Sequence, residues 1–315
     1  DATNIDCLVC HDKTDTYFKQ KSMAGWPATE ATATKEFPVP DYNYVAANVG
    51  YPDRDNCGVC HFYGGGGNNV KHGDLEEALY HTTKKVDVHM GEDGQNMVCV
   101  DCHEAQNHNI KGRSYSVGAE NTNRLHCYQC HTNAPHNDKV LDYHNSKIAC
   151  QTCHIPVYAK VNATTLYWDW STAGRRDANG NPIKEYDADH NYSYLSIKGH
   201  FVFDNMVKPE YYWFNGTVDH FLRDDTIKDS PVQINSLFGD YSDPNAKIWP
   251  VKVHRGKQAY DPVYKQLLSV KLFAHNKGEG AFWEDLEWEP AIRLGMEYNN
   301  RPWSGEYDFI ETEVY

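Results

Sequence analysis

Five copies of one short motif account for every cysteine in the chain. The ten cysteines form five pairs of identical spacing, and a histidine follows each pair directly. The copies are CLVCH at 7–11, CGVCH at 57–61, CVDCH at 99–103, CYQCH at 127–131 and CQTCH at 150–154. In this pattern two thiols add to the vinyl groups of a porphyrin, and the histidine binds the iron as proximal ligand. The spacing therefore predicts five covalently attached haems c.

Cys-x-x-Cys alone also occurs in zinc sites and in thioredoxin-like redox pairs. Neither alternative requires a histidine directly after every pair, and no cysteine is left over here. The predicted haem-attachment residues are Cys7, Cys10, Cys57, Cys60, Cys99, Cys102, Cys127, Cys130, Cys150 and Cys153. The predicted proximal ligands are His11, His61, His103, His131 and His154.

Each iron still has a sixth position, and a second imidazole there gives a low-spin electron-transfer centre. Twelve histidines lie outside the motifs: His72, His81, His89, His108, His126, His136, His144, His190, His200, His220, His254 and His275. A single histidine of this kind is ordinarily a surface or hydrogen-bonding residue, but here five irons compete for them. His108 and His136 closely follow the third and fourth motifs, and His144 precedes the fifth.

Length, apolar content and net charge limit the kinds of function that this chain can have. The chain has 315 residues, enough for one large or two modest domains, and 40% of them are apolar. Porphyrins would add the apolar surface that the side chains lack. A formal charge of −14 disfavours nucleic acid and anionic lipid and favours basic partners. No apolar run approaches the roughly 18 residues of a membrane span.

The motifs start 50, 42, 28 and 23 residues apart, so they do not form a regular repeat. We expect each on a short helix, with a further short helix near 42–49. After His154 the chain becomes aromatic and alternating: 192–203 and 211–219 are predicted strands, with a turn at Asn215-Gly216, and 283–298 is predicted helical, broken only by Pro290. The predicted fold is a multihaem cytochrome c of short helices and loops around stacked haems in residues 1–160. Residues 161–315 form a non-haem region packed against it, with some β-structure and a helix.

Four consecutive glycines, Gly64–Gly67, follow the second motif. The Gly-Lys-Ser/Thr of a phosphate-binding loop is missing, so we expect these glycines to let backbone pass close to a porphyrin. Lys71 is ordinarily a solvated charge, but a desolvated neutral amine can also ligate iron.

Several segments resemble the octahaem tetrathionate reductase family, over about residues 5–315. They are Asn56-Cys-Gly-Val-Cys-His-Phe-Tyr-Gly-Gly-Gly-Gly67, Val70-Lys-His-Gly-Asp-Leu75, Asp87-Val-His-Met90, Ile110-Lys-Gly-Arg113, Ala149-Cys-Gln-Thr-Cys-His-Ile-Pro156, Tyr167-Trp-Asp-Trp170, Trp213-Phe-Asn-Gly-Thr-Val-Asp219, Val253-His-Arg-Gly-Lys-Gln258 and Glu311-Thr-Glu313. That family carries eight attachment motifs, two before the position of CLVCH and one after that of Glu311-Thr-Glu313. The sequence is therefore expected to begin and end inside a longer pattern.

The resemblance implies that Lys71 matches the lysine ligand of the family's catalytic haem, whose motif lies upstream of Asp1. It also places family histidines at His72, His81, His89, His108, His136, His144 and His254. These are seven candidates for five vacant positions, so either the polypeptide is longer or neighbouring subunits supply haems. Calcium is a further candidate cofactor.

The leading hypothesis is electron transfer through five mostly bis-His haems in the periplasm or outside the cell, as conduit of a reductase or unit of a larger cytochrome assembly. Its partners would be redox proteins and further copies in an oligomer or filament. The alternative, which the resemblance implies, is an oxidoreductase acting on a small inorganic oxyanion such as tetrathionate or nitrite, or on hydroxylamine, through a Lys-ligated haem. Pentahaem nitrite reductase matches the haem number, but the sequence lacks its Cys-x-x-Cys-Lys motif.

Overall fold

The computed structural model describes residues 6–19, 25–63, 74–112 and 119–315. It divides into two compact units, the first within Asp1–Asn68 and Leu75–Lys111, the second within Asn69–Asp74 and Gly112–Tyr315. The first unit therefore holds the first three motifs, and the second holds the last two together with the non-haem residues. The sequence-based division at residue 160 separates residues by motif content and stays a prediction.

Short helices and one hairpin make up the first unit. The helices are α1 (Cys7–His11), α2 (Tyr42–Ala47), α3 (Arg54–His61) and α4 (Cys99–Cys102), with a 3₁₀ turn at Glu77–Leu79. The hairpin pairs β1 (Ala105–Gln106) with β2 (Asn109–Ile110). Its buried apolar side chains, among the described residues, are Ala28, Val45, Phe62 and Leu79.

The second unit begins with two helices, α5 (Lys139–His144) and α6 (Cys150–His154), and then becomes mostly β-structure. Its strands are β3 (Thr164–Asp169), β4 (Lys184–Tyr186), β5 (Tyr192–Leu195), β6 (Gly199–Asp204), β7 (Glu210–Phe214), β8 (Val218–His220), β9 (Val232–Gln233), β10 (Asn235–Leu237), β11 (Lys247–Val251), β12 (His254–Asp261), β13 (Gln266–Leu267) and β14 (Asp308–Val314). Two further helices, α7 (Phe282–Asp285) and α8 (Trp288–Tyr298), precede β14.

An eight-stranded sheet is the centre of the second unit. Its order is β4-β5-β6-β3-β12-β14-β9, with β13 also pairing with β12. The β3–β12 and β14–β9 pairs are parallel, and the others are antiparallel. The pairs β7–β11 and β8–β10 lie outside this sheet.

A hydrophobic cluster covers part of the sheet. Phe282, Leu286 and Ala291 are buried, and Trp170 and Trp288 pack against them. The Phe282 and Trp288 ring centroids are 4.1 Å apart. The non-haem residues therefore have an apolar core built from their own side chains.

The predicted helix near 42–49 is present as α2, and four of the five motifs lie on short α-helices as predicted. CYQCH instead begins with a 3₁₀ turn at Cys127–Gln129. The prediction of one strand over 192–203 is wrong, because a turn at 196–198, followed by Gly199 at φ +85°, divides the run into β5 and β6. The turn at Asn215-Gly216 is present, yet β7 and β8 on either side pair with other strands.

The prediction that Pro290 breaks the last helical segment is also wrong. The break lies at Leu286, which has φ +56° and ends α7. Pro290 lies in the first turn of α8, where its missing N–H costs no intrahelical hydrogen bond. None of the helices in the described residues has both the length and the apolar character needed to cross a membrane.

Candidate haem sites

Capping side chains fix the helices that carry the first two motifs. Asp6 caps α1 by accepting a hydrogen bond from the Leu8 N–H, 3.0 Å away. Asp53 caps α3, and Asn56 Oδ1 accepts a hydrogen bond from the Asp53 N–H, which completes a capping box. Asn56 Nδ2 also donates to Asp12 O at 2.9 Å, just after the first motif. The first two motifs therefore have a fixed relation to each other.

Two motif histidines have one ring nitrogen held by a backbone carbonyl. His11 Nδ1 lies 2.8 Å from Gly50 O, and His103 Nδ1 lies 2.7 Å from Lys111 O. A carbonyl only accepts hydrogen bonds, so each Nδ1 carries the proton and Nε2 keeps its lone pair. This tautomer is the one required of an iron ligand that binds through Nε2.

The β1–β2 hairpin positions His108. Its two-residue turn consists of Asn107 and His108, with φ +53° and +61°. A turn of this kind needs positive φ at both central residues, and asparagine tolerates that region better than most. His108 thereby lies at the tip of the hairpin, with its ring centroid 6.3 Å from that of His11 and the two planes at 79°.

A second histidine pair lies in the second unit. The centroids of His136 and His154 are 6.1 Å apart, and their rings are within 11° of parallel. His136 Nδ1 lies 3.1 Å from Asp142 Oδ1 on α5. The α6 helix with His154 is held against β11, because Ala149 N–H donates to Ile248 O at 3.0 Å and Thr152 Oγ1 donates to the same oxygen at 2.7 Å.

Both separations match the requirement of an iron with two axial imidazoles. An iron–nitrogen bond of about 2 Å puts an imidazole centroid about 3 Å from the metal, so two such rings on opposite faces have centroids about 6 Å apart. Each pair combines one motif histidine with one histidine predicted as a distal ligand. All ten cysteine side chains are exposed or half-buried, so their thiols are accessible for bonding to porphyrin vinyl groups. The residues therefore fit covalent haem c.

The attachment points of the second and third motifs are adjacent. A hydrogen bond between the Cys57 and Cys99 side chains raises the pKa of the Cys57 thiol and lowers the pKa of Cys99 to about 7. Gly58 lies in the same motif, and a Cβ there would be 2.5 Å from a ring carbon of Tyr80 and 2.6 Å from one of Phe62. Only glycine fits at this position.

Arg54, at the start of α3, holds the segment that carries His81 and His89. The residue is only 6% exposed, and its guanidinium donates to the carbonyls of Met90 and Met97, the latter at 2.9 Å. His81 Nδ1 lies 2.9 Å from Glu92 Oε1, while His89 Nδ1 is 3.9 Å from Asp87. His81 and His89 are exposed.

The remaining predicted ligands are dispersed. His254 on β12 is half-buried, with Nδ1 3.2 Å from Thr165 O. Burial lowers the pKa of His254, helped by the charge of Lys252 and opposed by the hydrogen bond with Thr165. His61, His131 and His144 are exposed. Lys71 and His72 lie outside the described residues.

Sequence reasoning missed the groups that hold the imidazoles. Asp142 and Glu92 follow their histidines by six and eleven residues, spacings that have no recognised signature. Gly50 and Lys111 contribute backbone carbonyls, which no side-chain pattern reveals. His126, not among the predicted ligands, stacks on Tyr128 with centroids 4.6 Å apart.

Within the described ranges, no three or more His, Cys, Asp or Glu side chains are grouped so as to hold a metal ion directly. The calcium prediction stays a prediction.

Comparisons with known proteins point to c-type cytochromes. A family model described as bacterial cytochrome c matches residues 165–315. An uncharacterised protein of Archaeoglobus fulgidus is 30% identical over 115 residues, which are 33% of this chain and 37% of that protein. The chain thus spans little more than a third of the length of this curated relative.

A solved structure matches over the whole chain. The crystal structure of octahaem cytochrome c from Shewanella oneidensis superposes with a TM-score of 0.84 at 40% identity, covering 100% of this chain and 68% of that one. Both the sequence identity and the fold are therefore shared from end to end of the chain. The chain belongs to the family of multihaem c-type cytochromes that includes the octahaem cytochrome c of Shewanella oneidensis.

Proposed function

We propose that the chain transfers electrons through five covalent haems, of which those at CLVCH and CQTCH are bis-His. The observation that carries the proposal is the spacing of two histidine pairs, His11–His108 at 6.3 Å and His136–His154 at 6.1 Å. Two imidazoles on one iron fill its coordination sphere and make it a low-spin centre suited to electron exchange. The distal ligands of the other three haems come from the remaining predicted histidines.

The wider setting is part of the same proposal. Haem is attached to Cys-x-x-Cys-His outside the cytoplasm, so the protein works in the periplasm or at the cell exterior. Its partners are redox proteins, and neighbouring copies or further haem segments extend the path, because the octahaem relative is longer than this chain. The acidic surface favours partners with basic contact faces.

Mass spectrometry tests the haem number, and electron paramagnetic resonance tests the ligand pairs. The intact mass should equal the polypeptide plus five haems, and the oxidised protein should be low-spin at both pairs. His108→Ala and His136→Ala should each convert one haem to high-spin, whereas His190→Ala, a matched control in a turn after β4, should leave the spectrum unchanged. Fewer than five haems, or low-spin spectra unchanged by both variants, would contradict the proposal.

The same spectrum separates electron transfer from the reductase alternative. A reductase of tetrathionate, nitrite or hydroxylamine needs one iron with an open or displaceable position, which resemblance links to Lys71. A substantial high-spin fraction in the unmodified protein would favour that alternative. A wholly low-spin spectrum supports the conduit.

A further inference from the structure

Asp142 makes two contacts with one histidine. Its Oδ1 lies 3.1 Å from the His136 backbone nitrogen and 3.1 Å from His136 Nδ1. The chain turns after His136, α5 starts at Lys139 with Asp138 as its cap, and its first turn brings Asp142 back to the histidine. The Asp142 side chain is 17% exposed and that of His136 is 35% exposed. The carboxylate therefore fixes both the main chain and the ring of His136.

The other histidine pair is held differently. His11 Nδ1 donates a hydrogen bond to the neutral carbonyl of Gly50, while His136 Nδ1 donates one to the negatively charged carboxylate of Asp142. Charged acceptors form stronger hydrogen bonds than neutral ones. An acceptor on Nδ1 draws the ring proton away and makes Nε2 a more basic ligand, and a carboxylate does so more than a carbonyl. A more basic ligand stabilises ferric iron over ferrous iron.

We propose that Asp142 is a positioning residue that lowers the reduction potential of the haem attached through Cys150 and Cys153. This inference rests on the proposed function, since it requires that haem and its His136–His154 ligation. The carboxylate acts through the histidine ring, by orienting it and by raising its basicity. Low exposure keeps solvent from screening the charge fully. The potential of the haem at CQTCH should therefore lie below that of a bis-His haem of this chain whose imidazoles are hydrogen-bonded only to carbonyls.

The test is a potentiometric titration of the full holoprotein, followed by optical and paramagnetic resonance spectra that resolve individual haems. Asp142→Asn should raise the potential of one haem, by on the order of tenfold in its reduction equilibrium, or about 60 mV for one electron. That haem should stay low-spin and the others should not move. Asp142→Glu keeps the charge and should stay closer to the parent protein.

Asp138→Asn is the matched control. It removes the same charge from the same helix, but Asp138 accepts from the Val140 and Leu141 N–H groups, and asparagine also caps helices well. Its potentials should move much less than those of Asp142→Asn, because Asp138 does not accept a hydrogen bond from the His136 ring. An unchanged potential in Asp142→Asn, or an equal shift in Asp138→Asn, would overturn the inference.

The unmodified protein gives a second measurement, in which variants serve only to identify the signals. Near-parallel imidazole planes give a rhombic low-spin signal, and near-perpendicular planes give a single signal at large g. The rhombic signal of the His136–His154 haem is identified by its absence in His136→Ala, and the large-g signal of the His11–His108 haem by its absence in His108→Ala. The rhombic signal should titrate at the lower potential. The reverse order would also overturn the inference. Absence of haem on Cys150 and Cys153 would instead refute the proposed function.

Discussion

The three motifs of the first unit and the eight-stranded sheet of the second unit are stabilised by different means. Around the first three motifs, the described residues offer a few buried apolar side chains, such as Val45 and Phe62, and many hydrogen bonds to backbone. The sheet has long strand pairings and a cluster around Phe282. Small units with little apolar burial usually depend on a metal or cofactor. We therefore expect that the motif region needs haem to fold and that the sheet does not.

The largest expected effect is that of withholding haem. When the full chain is produced without haem attachment, amide protons of α1, α3 and α4 should exchange without protection, whereas those of β3, β12 and β14 should stay protected. The reason is that only the sheet keeps its core without porphyrins. Hydrogen exchange read by mass spectrometry makes the measurement. Protected motif helices in the haem-free chain would remove the distinction between the two regions.

Phe282→Ala tests how much the apolar core beside the sheet contributes to stability. The ring is fully buried against Trp288, so the cavity should lower the free energy of unfolding by about 3–5 kcal/mol. Denaturant unfolding followed by tryptophan fluorescence measures this loss. Phe273→Ala, at a ring that is 58% exposed, should cost far less. A change in the spectrum of a haem attached to one of the first three motifs, in the native Phe282→Ala protein, would contradict this comparison.

Arg54→Met tests the hydrogen bonds that stabilise the first unit, and its expected loss of stability is smaller. Removing the guanidinium leaves the Met90 and Met97 carbonyls without their donor and should destabilise the holoprotein by roughly 2–3 kcal/mol. Arg293→Met, an exposed helix position, is the control and should change stability by well under 1 kcal/mol. If the haem spectra stay unchanged in Arg54→Met while the segment that carries His81 and His89 loses stability, neither histidine ligates iron.

The sequence specified local chemistry better than long-range placement. Cys-x-x-Cys-His is complete within five residues, so its chemistry could be predicted without a fold. The position of His108 beside His11 depends on a hairpin that forms only with Asn107 and His108 at positive φ, and no periodicity indicates it. The prediction of a break at Pro290 is wrong for a similar reason. A proline predicts a break, but whether it lies inside a helix or in its first turn depends on Leu286, two residues before that helix begins.

The strand order was also beyond local patterns. β12 lies between β3 and β14, which come from opposite ends of the second unit's sequence. Alternating residues predict a strand but not its neighbours, since pairing is decided by side chains brought together over long separations. The role of Asp142 is likewise not predictable from local patterns, because it depends on a turn of the chain and not on sequence spacing.

The β1–β2 hairpin has a consequence for the order in which the proposed haem sites form. His108 follows the third motif in the sequence, so the haem proposed at CLVCH would gain its second histidine only after a loop that holds two further motifs has closed. His136 instead precedes its partner His154 by a short stretch, and that site can close locally. The CLVCH site is therefore expected to complete its pair of histidines later than the CQTCH site.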